Sequence, residues 1–286
     1  MSKVKKTFPG SMSINVAELA NLKKVILRDG LQRAPITSDY ELLRIKDGNI
    51  SIIVYKSGKL VHNGSENTIK ILTEIMKKET EFDYLLGSDE TGKGEWYGPL
   101  VATCMSLDSD ELKEFRLMGV RDSKSIKKDV LLNMAEEIIN KKPIYRSRIL
   151  MPETYNIMYE QFQKEGKNLN ELLAWAHTAS IKDVLGIIKY DRVKVVIDKF
   201  DVEKTYERLA GIDKRKVEII QKSKGETEIP VAAASIIAKR AFEKSVDELN
   251  EKYSVDLRHQ KPEDIDSSIL PYVAKTHFKN VKNHVS

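Results

Sequence analysis

One cysteine stands in 286 residues. The lone Cys104 excludes an internal disulfide framework and the paired cysteines of zinc sites, and it fits a reducing compartment. No apolar run approaches the roughly 20 residues that a membrane-spanning helix needs. The basic start, Met1 to Lys6, runs into Thr7-Phe8-Pro9-Gly10 and not into an apolar core, so no signal peptide is expected. A cytoplasmic protein without a membrane partner is the expectation. Disorder is equally disfavoured: hydrophobic residues make up 41% and charged residues 32%, the balance of a chain that can bury a core.

Acidic residues are scarce only at one end. Net charge is +5, but residues 1–78 hold 14 Lys and Arg against 7 Asp and Glu, an excess of +7. The remainder holds 34 against 36, a balance of −2. A lysine-rich solvated domain accounts for this in the blandest way. A polyanion-binding module attached to a near-neutral enzyme is the functional reading.

The length suits two ordinary domains. Residues 1–12 read as a loose arm. Ser13 or Asn15 can cap a helix running to about Leu27, with Val16, Leu19, Lys23 and Leu27 at helical spacing. Strand-like runs follow at 40–46, 49–56 and 59–62, with Asp47-Gly48 and Ser57-Gly58 as hairpin turns. A second helix begins after Ser65. The charged stretch 77–81 reads as a linker, which sets the expected domains at 1–78 and 82–286. The second part shows strands to Asp89, at 99–107 and at 144–150. Helices are expected at 128–140 and 169–185. The run Val193–Ile197 is β-branched at nearly every position, as a buried central strand reads. Another strand at 217–221 and a long helix from Val231 to Tyr253 complete a mixed sheet with helices on both faces.

The chemistry gathers at Gly87-Ser88-Asp89-Glu90-Thr91-Gly92-Lys93-Gly94. Neighbouring side chains on a strand point to opposite faces, so Asp89 and Glu90 can share one cation only near a strand end or a bulge. Gly87 to Lys93 also matches a phosphate loop, G-x-x-x-x-G-K. Gly94 stands where that loop needs Ser or Thr, and Gly98 and Pro99 disfavour the helix it must open. A nucleotide cofactor is therefore not expected. A solvated strand end with a glycine turn is the bland alternative. An oxygen-donor metal site for phosphodiester chemistry is the third. Asp198 ends its apolar strand next to Lys199. It reads either as a surface pair or as a third acid beside Asp89, since a buried charge is costly without a partner.

Several ordered motifs point the same way. Gly87-Ser88-Asp89-Glu90-x-Gly92-x-Gly94 with Gly98-Pro99-Leu100-Val101 behind it resembles the first motif of type 2 ribonucleases H. Gly119 to Lys124, Val195 to Asp198 and Ala232 to Lys239 agree in order. Asn168 to Ala174, Lys275-Thr276-His277-Phe278 and the extra N-terminal domain resemble the ribonuclease HIII branch. The resemblance spans about residues 82–281.

It implies an α/β, ribonuclease H-like mixed sheet with flanking helices, preceded by a small α+β domain similar to half of a TATA-binding protein. That domain would bind substrate; Val54 to Val61 resembles its hairpin. The implied activity is hydrolysis of RNA in RNA/DNA hybrids with two Mg²⁺ or Mn²⁺ ions, leaving 5′-phosphate and 3′-hydroxyl ends. A monomer is expected. The implied acids are Asp89, Glu90, Asp198 and, by motif position on the long helix, Glu243 where relatives carry Asp; Asp247 is the runner-up. The resemblance assigns substrate contacts to Gly92, Lys93 and Gly94 at ribose 2′-hydroxyls, and to Lys124, Ser235 and Lys239. His177 and His277 read as packing residues, and Trp96 and Tyr97 as stacking or packing groups. Cleavage at single ribonucleotides, as by ribonuclease HII, and a non-catalytic hybrid-binding protein remain the rival readings.

Overall fold

A computed structural model describes residues 9–76, 81–120, 128–198, 211–222 and 228–285. The chain divides into two compact units, one of residues 1–81 and 109–121, the other of residues 82–108 and 122–286.

The first unit is a four-stranded antiparallel sheet under helices. Its strands are β1 (Gly10–Ser13), β2 (Glu41–Asp47), β3 (Ile50–Tyr55) and β4 (Lys59–His62), in the order β1-β4-β3-β2. Residues 10–13 are thus a strand, not the end of a loose arm; Gly10 to Ser13 pair with His62 to Lys59. Four residues carry too short an alternation to signal a strand by themselves. Helix α1 (Val16–Asp29) starts at Asn15, whose side chain accepts from the Glu18 amide at 2.9 Å. The Glu18 carboxylate in turn accepts from the Asn15 amide, a closed capping box. Gly30, at φ 64°, ends the helix in the left-handed conformation. Ser65 caps α2 (Glu66–Ile75) through the Thr68 amide. The inward face of the sheet and both helices build one core from Leu22, Val25, Ile45, Ile52, Val54, Leu60 and Leu72.

A third helix, α3 (Ser109–Leu117), belongs to this unit although it follows the second unit's first two strands in sequence. Arg116 on α3 reaches Glu18 at 2.5 and 2.7 Å, and Leu117 joins the core. An amphipathic nine-residue segment does not reveal which core it will join.

The second unit holds β5 (Tyr84–Thr91), β6 (Leu100–Leu107), β7 (Ile144–Leu150), β8 (Val193–Asp198) and β9 (Val217–Lys222), in the order β7-β6-β5-β8-β9. The first three are antiparallel, and β8 and β9 run parallel to β5. Its helices include α4 (Lys128–Asn140), α5 (Pro152–Lys164), α6 (Leu169–Leu185) and α7 (Ile229–Tyr253). Leu86, Cys104, Val195 and Ile197 pack with Ile181 and Val184 of α6 on one face. Val101 packs with Phe242 and Val246 of α7 on the other. The sheet is mixed and covered on both sides, as its sequence pattern predicts.

Candidate active site

β5 is buried between β6 and β8, so its side chains must alternate between the two helix layers. Gly87 faces α7 at its N-terminal end. A Cβ there would lie 2.1 Å from the Val231 amide nitrogen and 2.2 Å from the Pro230 carbonyl carbon. Only glycine lets the helix come this close. One residue on, Ser88 faces α6, where its Oγ lies 2.8 Å from His177 Nδ1 and 3.1 Å from the Thr103 carbonyl. Asp89 turns back to α7 and accepts from the Ser235 hydroxyl. Glu90 turns again to α6, with Oε2 3.0 Å from His177 Nε2. The two acids therefore leave the strand on opposite sides. At the end of the strand the Glu90 backbone amide donates to Asp89 Oδ1 at 2.9 Å.

Register brings in the third acid. Ser88 pairs with Ile197, the residue before Asp198, in the parallel β5–β8 ladder. Asp198 is thus the lateral neighbour of Asp89 and projects on the same face of the sheet. It ends β8, opposite Lys222 on β9.

Electrostatics mark these groups as unusual. Burial pushes the Asp89 carboxyl up to about 6; the Glu90 charge adds to this and the Ser235 hydroxyl opposes it. Glu90 meets the same burial, but the hydrogen bond and charge of His177, with Lys93 behind them, outweigh it and hold its pKa below the ordinary value. A carboxyl pushed up by burial and a like charge is a group that a cation would ionise. The donors are carboxylate oxygens, which suit Mg²⁺ or Mn²⁺ by chemistry. Among the described residues, no three His, Cys, Asp or Glu side chains are drawn into a group that could hold a metal ion. The backbone positions of Asp89, Glu90 and Asp198 are assembled; their carboxylates are not closed around one point.

Glu243 is not brought to this place. It lies eight residues beyond Ser235 on α7, about 12 Å along the helix. Its Oε2 is 2.5 Å from Arg258 Nη2 and 2.5 Å from Lys128 Nζ. Asp247 is held by the other arm of Arg258, also at 2.5 Å. Lys128 and Arg258 thus pair with the acids of this helix face. Ser235, only 3% exposed, donates its hydroxyl to Asp89.

The glycine motif follows β5 directly. Gly92 has φ 91°, and a Cβ on it would fall 2.1 Å from the Pro99 carbonyl oxygen. Gly94 is exposed, and a Cβ there would meet nothing within 4 Å. No helix opens after Lys93, as a phosphate loop would require. Lys93 and Lys239 are both half-buried. Lys124 falls outside the described residues. Trp96 and Tyr97 pack edge to face at 5.3 Å, and Tyr97 lies 6.1 Å from Phe242. His277, half-buried, packs among Tyr155, Tyr159 and Phe278. His177 does more than pack: fully buried, it spans Ser88 and Glu90. A polar residue in the middle of the apolar stripe of α6 was the signal for it.

Comparison with known proteins identifies the family. A sequence model of the Ribonuclease HII family matches residues 86–281. Ribonuclease HIII of Chlamydia pneumoniae is 32% identical over 262 residues, covering 83% of this chain and 86% of its own. The chain belongs to the ribonuclease HIII family. Ribonuclease HIII of Phytoplasma mali matches across 95% of this chain and 96% of its own, at 29% identity. Among solved structures, a point mutant of Bst-RNase HIII superposes with a TM-score of 0.60 at 20% identity, covering 96% of this chain and 97% of that one. The Mn²⁺ complex of Bst-RNase HIII gives 0.59 over the same shares of the two chains, again at 20% identity. These likenesses establish a shared ribonuclease HIII fold.

Proposed function

We propose that this protein is an endoribonuclease that hydrolyses the RNA strand of RNA/DNA hybrids with Mg²⁺ or Mn²⁺. One observation carries the reading: Asp89, Glu90 and Asp198 end neighbouring strands directly before the open glycine turn at Gly94. Asp89, Glu90 and Asp198 would hold the metal. Bound divalent ions would activate a water and stabilise the leaving oxygen of an in-line displacement.

The chain's own residues do the rest. Ser235 orients Asp89, and His177 orients Glu90 from the opposite helix layer. Lys93 supplies positive charge beside Glu90, where a phosphate would sit. The backbone at Gly92 and Gly94 allows close approach of a ribose, and the 2′-hydroxyl is what separates RNA from DNA. Water adds to phosphorus, the P–O3′ bond breaks, and the proton released by water ends on O3′. The products are a 5′-phosphate and a 3′-hydroxyl.

The first unit is assigned to duplex binding. Its open sheet face carries Leu42, Arg44, Lys46, Ile53, Tyr55, Lys59 and Val61, on the side opposite the helices. Basic and apolar groups interleaved on a sheet suit a phosphate backbone and its grooves. This is the part that the resemblance to a TATA-binding-protein half implies for residues 1–78. The same reading makes the protein a cytoplasmic monomer without a nucleotide cofactor. No helix among the described residues is long and apolar enough to cross a membrane.

The test is cleavage of a hybrid and of a duplex with a single embedded ribonucleotide, side by side, with Mg²⁺ or Mn²⁺. Efficient cutting of the hybrid and much poorer cutting of the single-ribonucleotide duplex is the expected result. Equal rates would move the chain to ribonuclease HII-like action. Hybrid binding without cleavage under either metal would make it a non-catalytic binding protein.

A further inference from the structure

Lys275 is fully buried, and it is the only lysine or arginine among the buried residues described. A buried ammonium is costly to desolvate unless each of its protons finds an acceptor. Here the count matches. Nζ donates to the carbonyls of Glu95 at 3.0 Å, Tyr97 at 3.0 Å and Gly98 at 2.8 Å. All three acceptors belong to the turn that follows Gly92-Lys93-Gly94 and returns the chain into β6.

The backbone around Lys275 joins the same turn. The Lys275 amide donates to the Trp96 carbonyl at 2.7 Å, and the Gly98 amide donates to the Val273 carbonyl at 2.9 Å. Tyr97 and Ala274 form an antiparallel bridge. Asn156 on α5 secures the other side of this strap by donating to the carbonyls of Pro271 at 3.0 Å and Ala274 at 2.9 Å. Burial pushes the Lys275 ammonium down to about 7, with Glu95 opposing the shift. The Tyr155 ring lies 5.7 Å from Nζ.

The consequence concerns the loop above. Gly94 has no side chain, and apart from its chain neighbours no described atom lies within 4 Å of where one would begin. Its position depends on Gly92, which is pressed on the Pro99 carbonyl, and on residues 95–98, whose inward carbonyls converge on one side chain. We propose that Lys275 is a positioning residue for ribose recognition: it gathers the 95–98 carbonyls and so fixes the Gly92–Gly94 backbone that meets the RNA strand. This rests on the reading of the glycine turn as the ribose-contacting element.

The experiment uses the full chain in EDTA, so that binding is read without cleavage. Affinities for an RNA/DNA hybrid and for a DNA/DNA duplex of the same sequence are measured for the parent and for Lys275→Met. The methionine fills the space and removes all three donors. The expected result is a folded protein whose hybrid affinity falls at least tenfold while its DNA/DNA affinity stays within twofold. A purely structural role would lower the melting temperature and leave the hybrid preference intact, and that outcome overturns the proposal. If Lys275→Met does not fold, Lys275→Gln, which keeps two N–H donors, carries the same comparison. A parent protein with no preference for hybrid over DNA would refute the underlying functional reading, and this inference with it. A parent that prefers hybrid alongside a variant that does too would refute the role of Lys275 alone.

Discussion

Gly87 offers the sharpest test of how the site is built. In Gly87→Ala the new Cβ would lie 2.1 Å from Val231 nitrogen, 2.2 Å from the Pro230 carbonyl carbon and 2.6 Å from its oxygen. Carbon atoms pack at about 3.5–4.0 Å. The gap between β5 and the start of α7 must therefore open by roughly 1.4 Å, and the obstacle is backbone that no rotamer change can move. Overpacking typically costs about 1–3 kcal/mol, and a clash against rigid backbone belongs at the top of that range. At about 2–4 °C per kcal/mol for a unit of this size, the melting temperature should fall by about 6–12 °C. Ser235 rides on the same helix a turn later, so its hold on Asp89 is displaced too. A shift of about 1 Å at a catalytic group can cost on the order of 100-fold in rate. Thermal denaturation and hybrid cleavage of the purified variant measure both effects. Gly94→Ala is the matched control, because nothing lies within 4 Å of its added methyl. It should melt with the parent and lose hybrid affinity. A Gly87→Ala protein that melts within about 2 °C of the parent, the effect of less than 1 kcal/mol, and cuts at the parental rate would refute the close approach of α7 to β5.

Asp89→Asn, Glu90→Gln and Asp198→Asn should each abolish hybrid cleavage yet leave binding largely intact, since phosphate contacts supply most affinity; near-normal turnover in any of them removes that residue from the metal set. Glu243→Gln should retain activity and lose stability through the freed Arg258 and Lys128, so a dead but fully stable variant would restore Glu243 as a catalytic acid. Lys46→Glu combined with Lys59→Glu should weaken hybrid binding and flatten its salt dependence, whereas an unchanged salt slope would remove the β-face of the first unit from the duplex interface. Lys275 is charged up to pH 10.5 when unfolded but only to about 7 when folded. The unfolded chain therefore binds the extra proton in between, and stability should rise as pH climbs from 7 towards 10.5, by at most about 1.4 kcal/mol per pH unit. Urea titrations across that window should show the rise in the parent and a flatter profile in Lys275→Met.

Local encoding accounts for what the amino-acid sequence determined by itself. The Asn15 and Ser65 caps, the Gly48 and Gly58 turns, the alternation of β2 and β3 and the β-branched run of β8 are each specified within a few residues. Backbone preference and hydrophobic period act at that range. The acid pair at 89–90 and the glycines behind it were legible for the same reason, and so was the break from a phosphate loop at Gly94. The tertiary structure decided which distant groups meet. His177 lies 87 residues from Glu90, and Ser235 on α7 is further still from Asp89, yet strand alternation sends each acid to its own helix layer. Arg258 and Lys128 capture Glu243, which its motif position had placed with the other acids. β1 takes its place only beside β4, and α3 joins the first unit from within the second unit's sequence. Lys275 stands in a recognisable motif, but three carbonyls of a turn nearly 180 residues earlier define its role. A side chain's partner is chosen through space, by burial and charge, and nothing in the residues adjacent to it in the chain records that choice.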